Sequence, residues 1–242
     1  MTTRPEQAPL LGILGGMGPL ATVDFLGKLT RSLPVTCDQQ HLPWITLSQP
    51  GMPDRSQSIQ NGSDAPLPYL RQGVAWLAEQ NVSLICIPCS TSHFWFDQMQ
   101  EASTTPILHI ADATIEELRR DTTRQTGPIA VLATRGTIKS GIYRDRLLQA
   151  QCAPEELSEA DQTAVDDIIR AVKTGHLADA RLNMHALQTR LTQRGIGTVI
   201  LGCTELPLAH DAANAPLVGI DVTLALARTV LRRLGYTPRE TD

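Results

Sequence analysis

The 242-residue sequence has no basic run of note, and its 21 lysines and arginines are outnumbered by 25 acidic residues, for a net charge of −4. Nothing in it would neutralise several phosphates, which argues against nucleic acid as a partner. No window approaches 18 uninterrupted apolar residues, and the opening "MTTRPEQAPL" lacks an apolar signal-peptide core. The expectation is a soluble, cytoplasmic protein with no membrane partner. A disulfide framework is missing too: five cysteines are an odd number spread over a mid-sized chain, which suits reduced thiols. No second C-x-x-C and no H-x-x-x-H completes a zinc site around Cys86 and Cys89. No metal is expected.

What is present reads as an ordinary globular chain, 42% hydrophobic and 19% charged. "LLGILGGMGP" is an apolar strand entering a glycine-rich turn, and "LATVDFLGKLTRSL" has helical spacing behind Pro19. A strand "WITLSQP" precedes "GMPDRSQSIQNGSDAPLP", whose Gly, Pro, Ser and Asp predict a long loop. A helix over "YLRQGVAWLAEQNV", the strand "SLICIP" and the strand–helix "PILHIADATIEELRR" follow. The pattern then restarts with the strand "PIAVLAT", the turn "RGT" and helices near 140–150, 160–174 and 177–194. Strands "TVILG" and "PLVGI" and the helix "TLALARTVLRRL" close the chain. This alternation predicts an α/β fold with parallel sheets covered by helices on both faces.

The sequence also repeats itself. "LLGILGGMGP" corresponds to "PIAVLATRGT", "LICIPCSTSH" to "VILGCTELPL", and "PILHIADATIEELRR" to "PLVGIDVTLALARTVLRR". Gly16 precedes Cys89 by 73 residues and Arg135 precedes Cys203 by 68; the following Pro106 and Pro216 lie 17 and 13 further on. Two pseudo-symmetric Rossmann-like halves are expected: residues 1–112 with 221–242 around Cys89, and 113–220 around Cys203. Ligands of open α/β sheets bind at the carboxyl ends of the strands. The two cysteines therefore belong on opposite walls of one interdomain cleft.

Cys86 lies inside the apolar run Leu84–Pro88 and reads as strand packing, since free cysteine is among the most buried residue types. Cys37 and Cys152 fall in segments without site chemistry. Cys89 follows Pro88 at a strand end and begins a Ser-Thr-Ser stretch; Cys203 stands likewise between Gly202 and Thr204. Two thiols across a cleft suit inversion of a stereocentre, one removing a proton from one face and the other delivering one to the opposite face. Backbone N–H groups at the two turns, with the hydroxyls of Ser90, Thr91 and Thr204, are placed to hold a substrate carboxylate as charge moves onto it.

Five segments in register, "LGILGGMGPLAT", "MPDR", "PCSTSH", "ATRGTIKSG" and "GCTEL", resemble the aspartate/glutamate racemase family from about Leu11 to the last helix. These are amino-acid racemases that use two cysteines and no pyridoxal phosphate. The resemblance implies two pseudo-symmetric domains, an active site between them, a homodimer, no cofactor, and racemisation of a small acidic amino acid. It maps the catalytic pair to Cys89 and Cys203. It maps a substrate-binding arginine to Arg55, pairing bidentately with a carboxylate, and a lysine meeting the distal acid to Lys173 in "AVKTGH". Met17 with its glycine turn, Thr91 and Thr204 fit the rest of the pocket. The chain departs from the family in reading Ser90 and Ser92 where C-N-T-A-H is common, and "TLSQPGMPDR" where asparagines often precede P-D-R. Both changes bear on the substrate, so a sulfonate, a longer amino acid or weak, broad activity stays open.

Other readings stand beside it. Gly16-Met17-Gly18-Pro19-Leu20-Ala21 matches G-x-G-x-x-A, but the segment around Asp38 is no strand, which argues against NAD. A related reaction on a diacid, cis–trans isomerisation or decarboxylation, would use one cysteine; a binding protein without turnover would use neither. His93 is either a base serving Cys89 or a hydrogen-bonded structural group. Glu205 either caps its turn or contacts the substrate amine. Asp54 is read as holding Arg55, and Asp97, Glu101, Glu116 and Glu117 as solvated helix faces.

Overall fold

Parallel strands covered on both faces need unbroken apolar stretches, and the central strands of this protein have them. The structure, a computed structural model, describes residues 8–120 and 127–239; the chain ends assigned to the first expected domain lie outside those residues. One sheet joins β1 (Leu11–Gly15), β2 (Trp44–Ser48), β3 (Leu84–Cys86) and β4 (Ile107–Leu108) in the order β2-β1-β3-β4. The other joins β5 (Ile129–Leu132), β6 (Pro154–Glu155), β7 (Thr198–Leu201) and β8 (Val218–Asp221) in the order β6-β5-β7-β8. Every pairing is parallel, and position for position the two orders are the same.

The first half of the chain also carries α1 (Pro19–Arg31), α2 (Arg55–Gln60), α3 (Leu67–Glu79), α4 (Phe96–Gln100) and α5 (Ile110–Arg120). Then come α6 (Arg135–Ser140), α7 (Ile142–Gln149), α8 (Glu159–Lys173), α9 (Leu177–Gln193), α10 (Leu206–Ala209) and α11 (Val222–Arg233). Two expectations change. The stretch expected as a long loop contains α2, and the expected turn "RGT" opens α6. In each case a side chain at the preceding position accepts a backbone N–H and starts the helix: Asp54 from Gln57 at 2.7 Å, Thr134 from Thr137 at 3.3 Å. The two-residue strand β6 has no sequence period to betray it.

Side-chain alternation along the strands divides the apolar residues among three cores. Leu11 and Ile13, Leu84 and Cys86, Ile129 and Val131, and Ile200 face one core shared by both sheets with α1, α5 and α11. Their neighbours turn outward: Leu14 and Ile85 under α3, Ala130, Leu132, Val199 and Leu201 under α8 and α9. The shared core means that neither sheet closes without the other half of the chain.

Glu117, expected on a solvated helix face, is instead 13% exposed and ties α5 to α11. Its carboxylate takes Arg228 at 2.6 Å and Arg232 at 3.2 Å, while Glu116 is near Arg232 and Arg233. The apolar stripe of α5 alone gave no reason to expect two arginines from a helix 111 residues further along. Glu117→Ala leaves the nearly buried Arg228 without its partner and is expected to cost about 3 kcal/mol. Urea denaturation of the two proteins reads the loss as a lower midpoint; a midpoint unchanged would contradict the clamp.

Candidate active site

The loops that leave β1, β2, β3, β5 and β7 at their carboxyl ends converge on one small cavity of about 50 Å³. Met17, Asp54, Arg55, Ser56, Cys89, Ser90, Thr91, Thr134, Lys173, Cys203, Thr204 and Glu205 line it. Of the nine residues expected at the site, eight are in this lining. Ser92 is the exception: it is fully buried behind the wall, its hydroxyl donating to the Met17 sulfur at 3.2 Å. A hollow of about 410 Å³ between α6, α7 and α8 is larger, but its Arg135 is already paired with Glu159 and Asp166.

The glycine turn after β1 is shaped by sterics. Gly16 has φ of +91°, and a Cβ there would lie 2.4 Å from the Gln49 nitrogen. Its N–H donates to the Thr22 hydroxyl at 2.9 Å. The turn thereby delivers Met17 to the cavity. On the opposite wall, α2 and α6 meet so closely that a Cβ on Gly136 would lie 2.6 Å from Ser56 Cα, and the Gly136 N–H donates to Ser56 Oγ at 2.9 Å. Lys139 spans the same seam to the carbonyls of Ile59 and Gln60 at 3.2 Å. Asp54, expected to hold Arg55, acts on the backbone by capping α2. Arg55 is steadied by its own Nη1, which donates to the carbonyls of Met52 and Pro53, while its Nε is buried with no protein partner.

Cys37, Cys86, Cys89 and Cys203 are free thiols. Burial pushes Cys86 far up from the ordinary thiol range, as befits a core residue of β3. Cys89 and Cys203 are 4% and 6% exposed, each following a central strand. Cys203 donates its S–H to Glu205 Oε2 at 2.9 Å. Burial first, then the Glu205 charge and that hydrogen bond, raise its pKa well above the ordinary value, with Lys173 pulling the other way. Lys173 ends α8, its Nζ 3.9 Å from Glu205 Oε1. Burial would lower its ammonium, but Glu205, then Cys203, Asp54 and Cys89, outweigh that and raise it.

The hydroxyls form a network across the two halves. Thr91 Oγ1 is 2.8 Å from Thr137 Oγ1 and 3.2 Å from Thr134 Oγ1. Ser90 Oγ, expected to read the substrate, is 2.7 Å from the Tyr143 hydroxyl of α7. Burial raises the Tyr143 pKa, so it stays a phenol. Sequence reasoning missed Thr134, Ser56 and Tyr143. Thr134 had a signal, since the repeat sets its turn against the glycine turn; Tyr143 had none.

His93 turns out to be structural. Its Nδ1 is 2.9 Å from the Cys89 carbonyl, and its Nε2 accepts the Ile110 N–H at 3.2 Å. A ring that donates through one nitrogen and accepts through the other is neutral. Burial lowers its pKa to about 4, against the pull of the Cys89 carbonyl. His109, 4.7 Å away between ring centres, is lowered too, by burial and then by His93. Both nitrogens being engaged, His93 fixes the Cys89 backbone and is no base for the sulfur. Among the described residues no group of three or more His, Cys, Asp or Glu could hold a metal ion, and no helix is long and apolar enough to cross a membrane.

Two α/β halves of one topology, each ending its central strand in a thiol that lines a common cavity, define a class of paired-cysteine α/β proteins. A family model for Asp/Glu/hydantoin racemases matches residues 14–230, and the chain belongs to that family. The broad-specificity amino-acid racemase RacX of Bacillus subtilis (strain 168) is 28% identical over 237 residues, covering 94% of this chain and 99% of that protein. The aspartate racemase of Picrophilus torridus superposes with a TM-score of 0.85 at 27% identity over 96% of each chain. A glutamate racemase of Francisella tularensis, solved with D-glutamate, shares the fold at a TM-score of 0.66 and 20% identity, covering 93% of this chain and 80% of that one.

An imidazole held neutral to about pH 4 makes stability depend on pH. The unfolded chain protonates His93 below its ordinary pKa of 6.5, which the folded protein resists, so stability falls as pH drops from 6.5 towards 4. The contribution is roughly 3 kcal/mol across that window. In urea titrations at both pH values, His93→Gln should show the smaller pH dependence; equal dependence would mean the ring is not buried neutral.

Proposed function

We propose that this protein racemises an acidic amino acid, aspartate, glutamate or a close analogue, by passing protons between Cys89 and Cys203 without a cofactor. The observation that carries the reading is the presence of both free thiols, from equivalent turns, in the lining of one cavity beside Arg55 and Lys173. One sulfur takes the α-proton from one face and the other returns a proton to the opposite face. The carbanion between is a weak acid's conjugate and needs its carboxylate held by preorganised donors. Thr91, Thr134 and Thr204 and the backbone of the two cysteine turns are the groups at hand. The unpartnered Arg55 Nε gives the guanidinium a free edge for a carboxylate.

Substrate breadth follows from charge. Arg55 and Lys173 favour a second carboxylate, while Asp54 and Glu205 in the same lining offset them. Broad specificity, as in the name of the RacX relative, is the second reading, favoured by the approach of Lys173 to Glu205 at 3.9 Å, which offsets its pull on a second carboxylate. The protein is further proposed to be cytoplasmic and to act as a homodimer, with no nucleic acid or membrane partner.

Chiral chromatography of a panel of acidic and neutral amino acids in D₂O tests the activity directly. Racemisation should carry deuterium into the α-position, and Cys89→Ala and Cys203→Ala should each lower the rate by about 10³-fold. Full activity in either variant excludes the two-thiol reaction. Turnover of unsaturated diacids without racemisation would favour isomerase or decarboxylase chemistry, and binding without any turnover a carrier.

A further inference from the structure

We propose that Glu205 couples substrate binding to the protonation of Cys203: in the empty cleft its Oε2 keeps the proton on the thiol, and its Oε1 receives the substrate's α-ammonium group. The inference rests on the two-thiol reading above and assigns it an order of events. Glu205 is 3% exposed and reaches from the second half of the chain to the glycine turn of the first, where a Cβ on Gly18 would lie 3.2 Å from Oε1. Its two oxygens are differently employed. Oε2 accepts the Cys203 S–H at 2.9 Å. Oε1 is buried with no hydrogen-bond partner, and Lys173 Nζ is 3.9 Å away, beyond hydrogen-bond reach. A buried carboxylate oxygen with an ammonium near it but no hydrogen bond of its own is an expensive arrangement unless a donor arrives there. In an α-amino acid the donor beside the reacting carbon is the α-ammonium.

The charges facing the thiol make the coupling directional. Lys173 approaches from the end of α8, Asp54 and Arg55 from the start of α2, Cys89 from the turn after β3 and Tyr143 from α7; the glycine turn presents no titratable group. With the cleft empty, Glu205 disfavours a Cys203 thiolate, so Cys89 is the sulfur left to take the first proton. When an ammonium pairs with Oε1, the negative charge beside the Cys203 S–H is offset and the thiol becomes the better acid. Cys89 thiolate and Cys203 thiol go to Cys89 thiol and Cys203 thiolate as the α-carbon loses one proton and gains another. A thiolate then stands beside a carboxylate, and once product leaves that repulsion drives Cys203 to take a proton from solvent while Cys89 gives one up to solvent, which resets the site.

Alkylation by iodoacetamide, mapped by peptide mass spectrometry from about pH 6 to pH 10, reads the first half in the ligand-free protein. Glu205→Gln, which keeps the shape but not the charge, should move the Cys203 profile to lower pH. At a fixed pH below both midpoints, alkylation should be about tenfold faster for each pH unit by which the midpoint falls. Lys173→Met should move the profile to higher pH. An unchanged Cys203 profile in both variants, or a displacement of the same sign in both, overturns the proposal. For the second half, Glu205→Gln should raise KM for the amino acid without weakening inhibition by succinate, which has no amine. An equal loss in both overturns the ammonium assignment. Failure of the two-thiol reading would show separately, as racemisation persisting in Cys203→Ala.

Discussion

The apolar core shared by the two sheets is the constraint on which the cleft depends. Each central strand gives one face to that core and the other to its own helices, so the carboxyl ends of both sheets are held by the same packed interior. α11 seals it, and Glu117 of α5 holds two of its arginines in a largely buried setting. The seam between α2 and α6 does the same at the cleft itself: Gly136 has no room for a side chain against Ser56. Loops on such a scaffold can present thiols, hydroxyls and charges to a cavity of about 50 Å³ without those groups collapsing on one another.

Within the cavity the chemistry is set by unequal partners. Cys89 has its backbone pinned by a neutral histidine, while Cys203 has its own proton engaged by a carboxylate. The pseudo-symmetry of the fold therefore does not extend to the hydrogen bonding of the two cysteines. Two cations, Arg55 and Lys173, and two anions, Asp54 and Glu205, also share the lining. Ser90 shows that the lining is tied across the two halves: its hydroxyl is engaged by Tyr143, a residue from the other half of the chain.

Much of this was legible beforehand. Unbroken apolar runs marked the central strands, and the repeated strand-to-cysteine turns brought Cys89 and Cys203 together in expectation before they met in the structure. The α2 and α6 segments were misread because Asp54 and Thr134 cap helices inside stretches whose composition is that of loops. Glu117 looked like surface because its partners come from a helix more than a hundred residues later, and His93 was ambiguous because both of its partners are backbone groups.

By itself the sequence determined the alternation of strands and helices, the duplication, and the two turns that carry the thiols, because apolar periodicity and turn chemistry act between residues close along the chain. Tertiary structure alone decided which neighbours those groups acquired. Tyr143 reached Ser90, Thr137 reached Thr91, and Glu205, only two residues from Cys203, was left with one oxygen that has no hydrogen bond, buried beside the glycine turn of the other half of the chain. Hydrogen bonding and desolvation depend on distances through space, and these are set by how the two halves pack.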